Sequence, residues 1–117
     1  MRKIITLNLF KENRLEQEYK DISAIVKDDS IVFKLDSVKT SINDNFFTRE
    51  TAEYKFELNI KERKATYLLK EKNMLFDIDV EKISYKKDNN IIVLEYKLST
   101  DEEKFKIEIN IKGEINE

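Results

Sequence analysis

Residues 53–85, "EYKFELNIKERKATYLLKEKNMLFDIDVEKISY", alternate apolar and charged side chains almost without a break. Tyr54, Phe56, Leu58 and Ile60 take every second place, with Glu53, Lys55, Glu57 and Asn59 between them. Successive side chains of a strand point to opposite faces, so this spacing describes an extended ribbon with one greasy side and one wet side. "KER" (61–63) interrupts the run, and Ala65, Tyr67 and Leu69 resume it on a partner strand. "KEKN" (70–73) turns again, with Asn73 best suited to a left-handed conformation. Phe76, Ile78 and Val80 then sit on even positions but Ile83 and Tyr85 on odd ones, so the parity slips around Glu81–Lys82.

The same period extends both ways. Upstream, Ile5, Leu7 and Leu9 line a first strand and "KEN" (11–13) turns it. Leu15 and Tyr19 are odd, whereas Ile22, Ala24 and Val26 are even; a bulge near Lys20–Asp21 reconciles them. "KDDS" (27–30) leads to Ile31, Phe33 and Leu35, and "INDN" (42–45) turns between two short strands before Phe46–Phe47. Downstream, "KKDNN" (86–90) turns into Ile92, Leu94, Tyr96 and Leu98, and "TDEE" (100–103) into Phe105, Ile107, Ile109 and Ile111.

The pattern predicts an all-β, antiparallel up-and-down barrel of about eight to nine strands. One competing segment, "ENRLEQEYK" (12–20), has a helix-forming composition. Two long strands that switch faces are what a small barrel needs at its corners, and closure removes unpaired edges in a chain that has no proline to protect them. "IIVLEY" (91–96) would aggregate if exposed, and Lys86, Lys87 and Lys97 flank it.

Composition excludes more chemistry than it assigns. At 117 residues the chain is expected to be one domain over 1–117. Twenty-two lysines and arginines against 24 acids leave a net charge of −2, which argues against nucleic acid or an acidic membrane as partner. Without cysteine there is no disulfide framework or thiolate, and without histidine no Ser-His-Asp or Cys-His machinery. The single glycine, Gly113, cannot make a phosphate-cradling loop. No cofactor or metal is expected. The start "MRKIITLNLFKENR" has a basic, briefly apolar character but reads as a strand, and a cytoplasmic location is expected.

The order of features resembles the YwiB-like family of small calycin-type, lipocalin-like β-barrels. The resemblance runs through "FTRE" with Arg49, an alternating strand, "ATYLLKE", "FDIDV", "IIVLEYKLS" and a closing "KFKIEINI", about two thirds of the chain. Thr51 and "KNMLF" stand where the family carries glycines. The resemblance implies a calycin-like barrel of unknown biochemical role, and it brings no catalytic residues.

Candidate sites follow from the inward face. Tyr54, Phe56, Tyr67, Phe76, Tyr96 and Phe105 would line either a ligand cavity or a filled core, and their bulk favours a core. Arg49, near a barrel mouth, would accept a carboxylate or phosphate in bidentate fashion, or pair with Glu50 or Glu53. Asp77, Asp79 and Glu81 recur at i, i+2, roughly 6.5 to 7 Å per step. That spacing would suit a carboxylate pair or calcium. Alternation, however, turns them to solvent, opposite lysines such as Lys55 or Lys97.

Three functions compete. The leading one is non-enzymatic binding of a small apolar or amphipathic molecule at the barrel mouth. The second is a protein-interaction module or homodimer using Phe46–Phe47. The third is an enzyme with carboxylate, lysine or tyrosine acid–base groups, which requires Arg49, Tyr67, Asp77 or Glu81 to share a concavity and at least one strongly shifted pKa.

Overall fold

Ten strands follow one another along residues 1–114, the part of the chain that the computed structural model describes. They are β1 (Arg2–Lys11), β2 (Arg14–Lys27), β3 (Ser30–Leu35), β4 (Val38–Ile42) and β5 (Phe46–Glu50). Then come β6 (Tyr54–Asn59), β7 (Lys64–Leu69), β8 (Met74–Asp88), β9 (Ile91–Leu98) and β10 (Phe105–Glu114). Each pairs antiparallel with its successor, and β1 also pairs with β10, which closes an up-and-down barrel. The count is ten rather than eight to nine, with β4 and β5 the shortest at five residues each. Residues 14–20 extend as part of β2 rather than coiling, because pairing along β1 outweighs a helix-forming composition. Among the described residues no helix is long and apolar enough to cross a membrane.

Both parity slips are bulges. Lys20 and Asp21 fall between the pairs Ile5↔Ile22 and Leu7↔Tyr19, with Asp21 at φ 56°. Glu81 falls between Val80↔Leu98 and Lys82↔Lys97. A third slip leaves Glu16 extra between Leu9↔Gln17 and Phe10↔Leu15. It turns Leu15 outward beside Phe10, so Leu15 is exposed rather than on the inner face with Tyr19.

The two long strands act as corners. β8 pairs with β7 over Met74–Asp79 and with β9 from Val80 to Asp88. β2 runs along β1 for most of its length but meets β3 only over Ala24–Lys27. The barrel therefore consists of two sheets joined at two bends. At the end bearing the β1–β2, β3–β4, β5–β6, β7–β8 and β9–β10 turns, the sheets part, since neither bend is laddered on both sides there.

Cross-strand partners make continuous inward rows. Ile31, Ile42, Phe47, Leu58, Ala65 and Ile78 form one row across β3 to β8, and all but Ile78 are buried. Ile5, Ile92, Leu94 and Ile109 meet it from the other sheet with essentially no exposed surface. Each such side chain stabilises the fold by roughly 1.5–3 kcal/mol relative to exposure. Between the strands, turns are built without glycine: Glu12, Asn13, Asp28, Asp36, Ser37, Arg63, Asn73 and Asn89 all have positive φ.

Asp36 and Ser37, at φ 50° and 67°, form a two-residue hairpin with both residues left-handed. Serine has no short-range advantage in that region, where a Cβ costs roughly 1–2 kcal/mol. Ser37→Gly is therefore expected to raise stability in urea unfolding by about 1 kcal/mol. An unchanged or lower midpoint would contradict the strain assigned to this turn.

Candidate functional site

One row nearer the open end, the inward partners are Phe33, Thr40, Arg49, Phe56, Tyr67 and Phe76. Arg49 is its one ionised member. Its inward aim follows from spacing alone: Phe47, two residues earlier, is 1% exposed, and a strand repeats its face every second residue. Across the gap the other sheet contributes Tyr96, Phe105 and Lys11, themselves cross-strand partners, and Leu94, Ile107, Leu9 and Gln17 beyond them.

Arg49 makes no ion pair or hydrogen bond among the described residues, contrary to the expected pairing with Glu50 or Glu53. Glu50 is adjacent in sequence and so points to the outer face, where its Oε2 accepts a hydrogen bond from Lys70 Nζ at 2.7 Å. The same ammonium donates to the Thr51 carbonyl at 2.8 Å, tying the β5–β6 turn to the start of the β7–β8 turn. The Lys70 hydrogen bond and charge hold the Glu50 carboxyl below its usual range. Thr51 Oγ1 accepts from the Glu53 and Tyr54 amides at 3.1 and 3.2 Å, which fixes the turn that a glycine would otherwise make.

Aromatic residues line the mouth together with the exposed Arg49. Tyr96 stacks on Phe56 at 6.1 Å and on Phe105 at 5.8 Å, and Phe47 meets Tyr96 at 6.0 Å, so rings from both sheets join across the barrel. Tyr54 and Tyr67 stack at 5.3 Å on the rim. Burial pushes the Tyr96 phenol up to about 12, with the Arg49 charge opposing and Asp101 reinforcing the shift.

Three concavities meet at Arg49. A chamber of about 110 Å³ lies between Leu7, Leu9, Phe33, Leu35, Phe47 and Arg49. A cavity of about 330 Å³ runs past Gln17, Arg49, Tyr96 and Phe105. A third, of about 370 Å³, is lined by Arg49, Tyr54, Phe56, Tyr67, Tyr96, Asp101 and Phe105. Six of the seven expected site residues, all but Phe76, thus share one concavity. Phe76 does not line it: it lies on the same face but 42% exposed at the free start of β8.

Other candidates separate from this mouth. Asp77 and Asp79 are exposed, opposite Thr66 and Lys64 rather than Lys55 or Lys97. Lys97 instead bonds Glu81, whose carboxyl its hydrogen bond and charge lower. No group of three or more acidic side chains is placed to hold a metal ion among the described residues. Phe47 belongs to the core, leaving only Phe46 of the expected contact pair at the surface. Of the residues an acid–base enzyme would need together, Arg49 and Tyr67 share the mouth and Asp77 and Glu81 do not.

The fold and site define a closed antiparallel barrel whose sheets part at one end, beside an exposed arginine that has no ion pair or hydrogen bond among the described residues. No protein-family model matches the chain, and neither a curated protein nor a solved structure matches it at a significant level.

The Tyr96 shift makes a pH prediction. Because the folded phenol ionises near 12 and the unfolded one near 10, its contribution is intact below pH 10 and is lost as pH rises toward 12. The stability difference between wild type and Tyr96→Phe should be flat to about pH 9 and shrink by ~2–3 kcal/mol by pH 12. A difference independent of pH over that window would contradict the burial assigned to the hydroxyl.

Proposed function

We propose that this barrel binds, without catalysis, a small amphipathic molecule carrying an anionic group, which it holds at the open end. The observation that carries the reading is the mouth itself, where the solvent-exposed Arg49, without an acidic partner among the described residues, shares a concavity with Tyr54, Phe56, Tyr67, Tyr96 and Phe105. A guanidinium presents a planar fork matched to a carboxylate or phosphate, and the rings offer apolar surface beside it. The adjacent cavities, at about 330 and 370 Å³, reach the range in which small-molecule sites occur. The resemblance to the YwiB-like, calycin-type barrels implies a barrel of unknown biochemical role and adds no catalytic residue. A cytoplasmic protein without a cofactor is consistent with the absence of cysteine and histidine.

Native mass spectrometry of protein purified from its own host is expected to show an adduct of a small acid. Charge-assisted hydrogen bonds contribute ~1.5–3 kcal/mol, so Arg49→Met should weaken binding by roughly 10- to 150-fold while leaving the unfolding midpoint nearly unchanged. A bare mass under gentle conditions, with equal affinity for added carboxylates in both proteins, would overturn the reading.

A second reading, a protein-interaction module, has one observation in its favour. Over Met74–Ile78 the side of β8 away from β7 has no ladder partner, and Met74, Leu75 and Phe76 are exposed there. An open apolar edge accepts an added strand. Light scattering should then show a dimer that Leu75→Lys dissolves; a monomer at high concentration would exclude self-pairing.

A further inference from the structure

We infer that the open edge of β8 takes a second copy of the same chain, the two β8 strands lying antiparallel with Phe76 facing Phe76 across a two-fold axis. The inference rests on the interaction reading of that edge, independently of the mouth, and adds the partner and the register.

Two edges are free where the sheets part, and they differ in how they receive a strand. β2 has no neighbour on one side over Arg14–Ser23, but two bulges break it and Arg14, Glu16, Glu18, Lys20 and Asp21 crowd it. Bulges and charges of that kind turn an incoming strand away. The start of β8 runs against β7 without a slip, and Met74, Leu75 and Phe76 are all exposed there.

The backbone sets the register. The Asp79 carbonyl accepts from the Ser99 amide at 2.8 Å, so the polar backbone groups of Asp79 face away from β7. That direction recurs every second residue, which leaves the amides and carbonyls of Leu75 and Asp77 pointing into the open side. Pairing Leu75 of one copy with Asp77 of the other, twice by symmetry, satisfies these groups in both chains. Phe76 then opposes Phe76 as a pair without hydrogen bonds between its members. Centring the axis on Asp77 instead sets like charges against each other, and centring it on Leu75 requires Asn73, held at φ 49°, to extend.

Charge favours the same arrangement. The paired segment is charged only at Asp77 and Asp79, whose opposite numbers in the other copy are Leu75 and Asn73, so no like charges meet. Asp77, Asp79 and Lys72 are exposed and have no ion pair among the described residues. Antiparallel pairing brings Lys72 of each copy, next to Asn73 and nearer than Glu71, to the end where Asp79 of the other stands. The inward rows Arg49–Phe56–Tyr67–Phe76 of the two copies meet at the axis.

The chain has no cysteine, so single cysteines report the register directly. Opposite residues of a pair without hydrogen bonds have Cα atoms about 4.5 Å apart, within disulfide reach. Under mild oxidation Phe76→Cys should form a covalent dimer about tenfold faster than Leu75→Cys or Asp77→Cys, whose symmetry mates are offset by two residues. Light scattering should show a wild-type dimer that Lys72→Glu weakens about tenfold and that Asp79→Lys, added to it, restores. Fastest cross-linking through Leu75→Cys or Asp77→Cys, or a dimer indifferent to the charge swap, overturns the register and leaves the interaction reading in place. A chain that stays monomeric at millimolar concentration overturns self-pairing altogether and leaves an extended segment of another protein as the occupant. Neither result touches the mouth, which Arg49→Met tests separately.

Discussion

The hydrogen-bonded pairing of β1 with β10 turns a meander of two-faced strands into an enclosure. A ribbon with alternate apolar residues has no stable use for its greasy side until something covers it. Here the opposite wall of the same barrel does so. Once closed, every second side chain is committed to the inside, whatever its chemistry. Arg49 is inward for that reason alone, since it follows Phe47 by two places on β5. A lone guanidinium sealed in a dry core would cost several kcal/mol. It is tolerated here because its row is the one at which the sheets part and water reaches the interior.

Core and pocket prove to be successive rows of one inner face. The row through Ile42, Phe47 and Leu58 is packed solid, and large rings from both sheets meet just above it. The next row, through Arg49, Phe56 and Tyr67, keeps the same alternation but faces a widening gap. The bulges at Lys20–Asp21 and Glu81 produce that gap, because each lets a long strand leave one neighbour before it has fully joined the next. The devices that close the barrel at one end therefore open it at the other.

Much of this was legible before any coordinates. Alternation marks the strands, and a change of parity marks a bulge whenever apolar residues stand on both sides of it, as Leu7 and Tyr19 do against Ile22 and Ala24. The bulge at Glu16 left no such mark: Leu15 is apolar yet faces out, so parity alone put it inside. Asn73 announced its left-handed turn, whereas Ser37 and Arg63 did not, being residues with no special preference for that region. Arg49 was the instructive miss. Proximity in sequence suggested Glu50 as partner, but neighbours on a strand face apart, and Lys70, twenty residues away, takes that carboxylate. Phe47 was likewise placed with Phe46 as a surface pair, although only one of two adjacent strand residues can be on the outer face.

The account stands on the side chain of Arg49 lying over the open end of the barrel, exposed to solvent yet on the aromatic side of β5, without a carboxylate partner among the described residues. Nuclear Overhauser contacts of its side-chain protons in the ligand-free protein address this directly. The structure predicts cross-peaks from Arg49 to the ring protons of Phe56, its inward partner on β6, together with a guanidinium that exchanges freely with water. Cross-peaks to Glu50 or Lys55 on the outer face, with none to Phe56, would contradict the account.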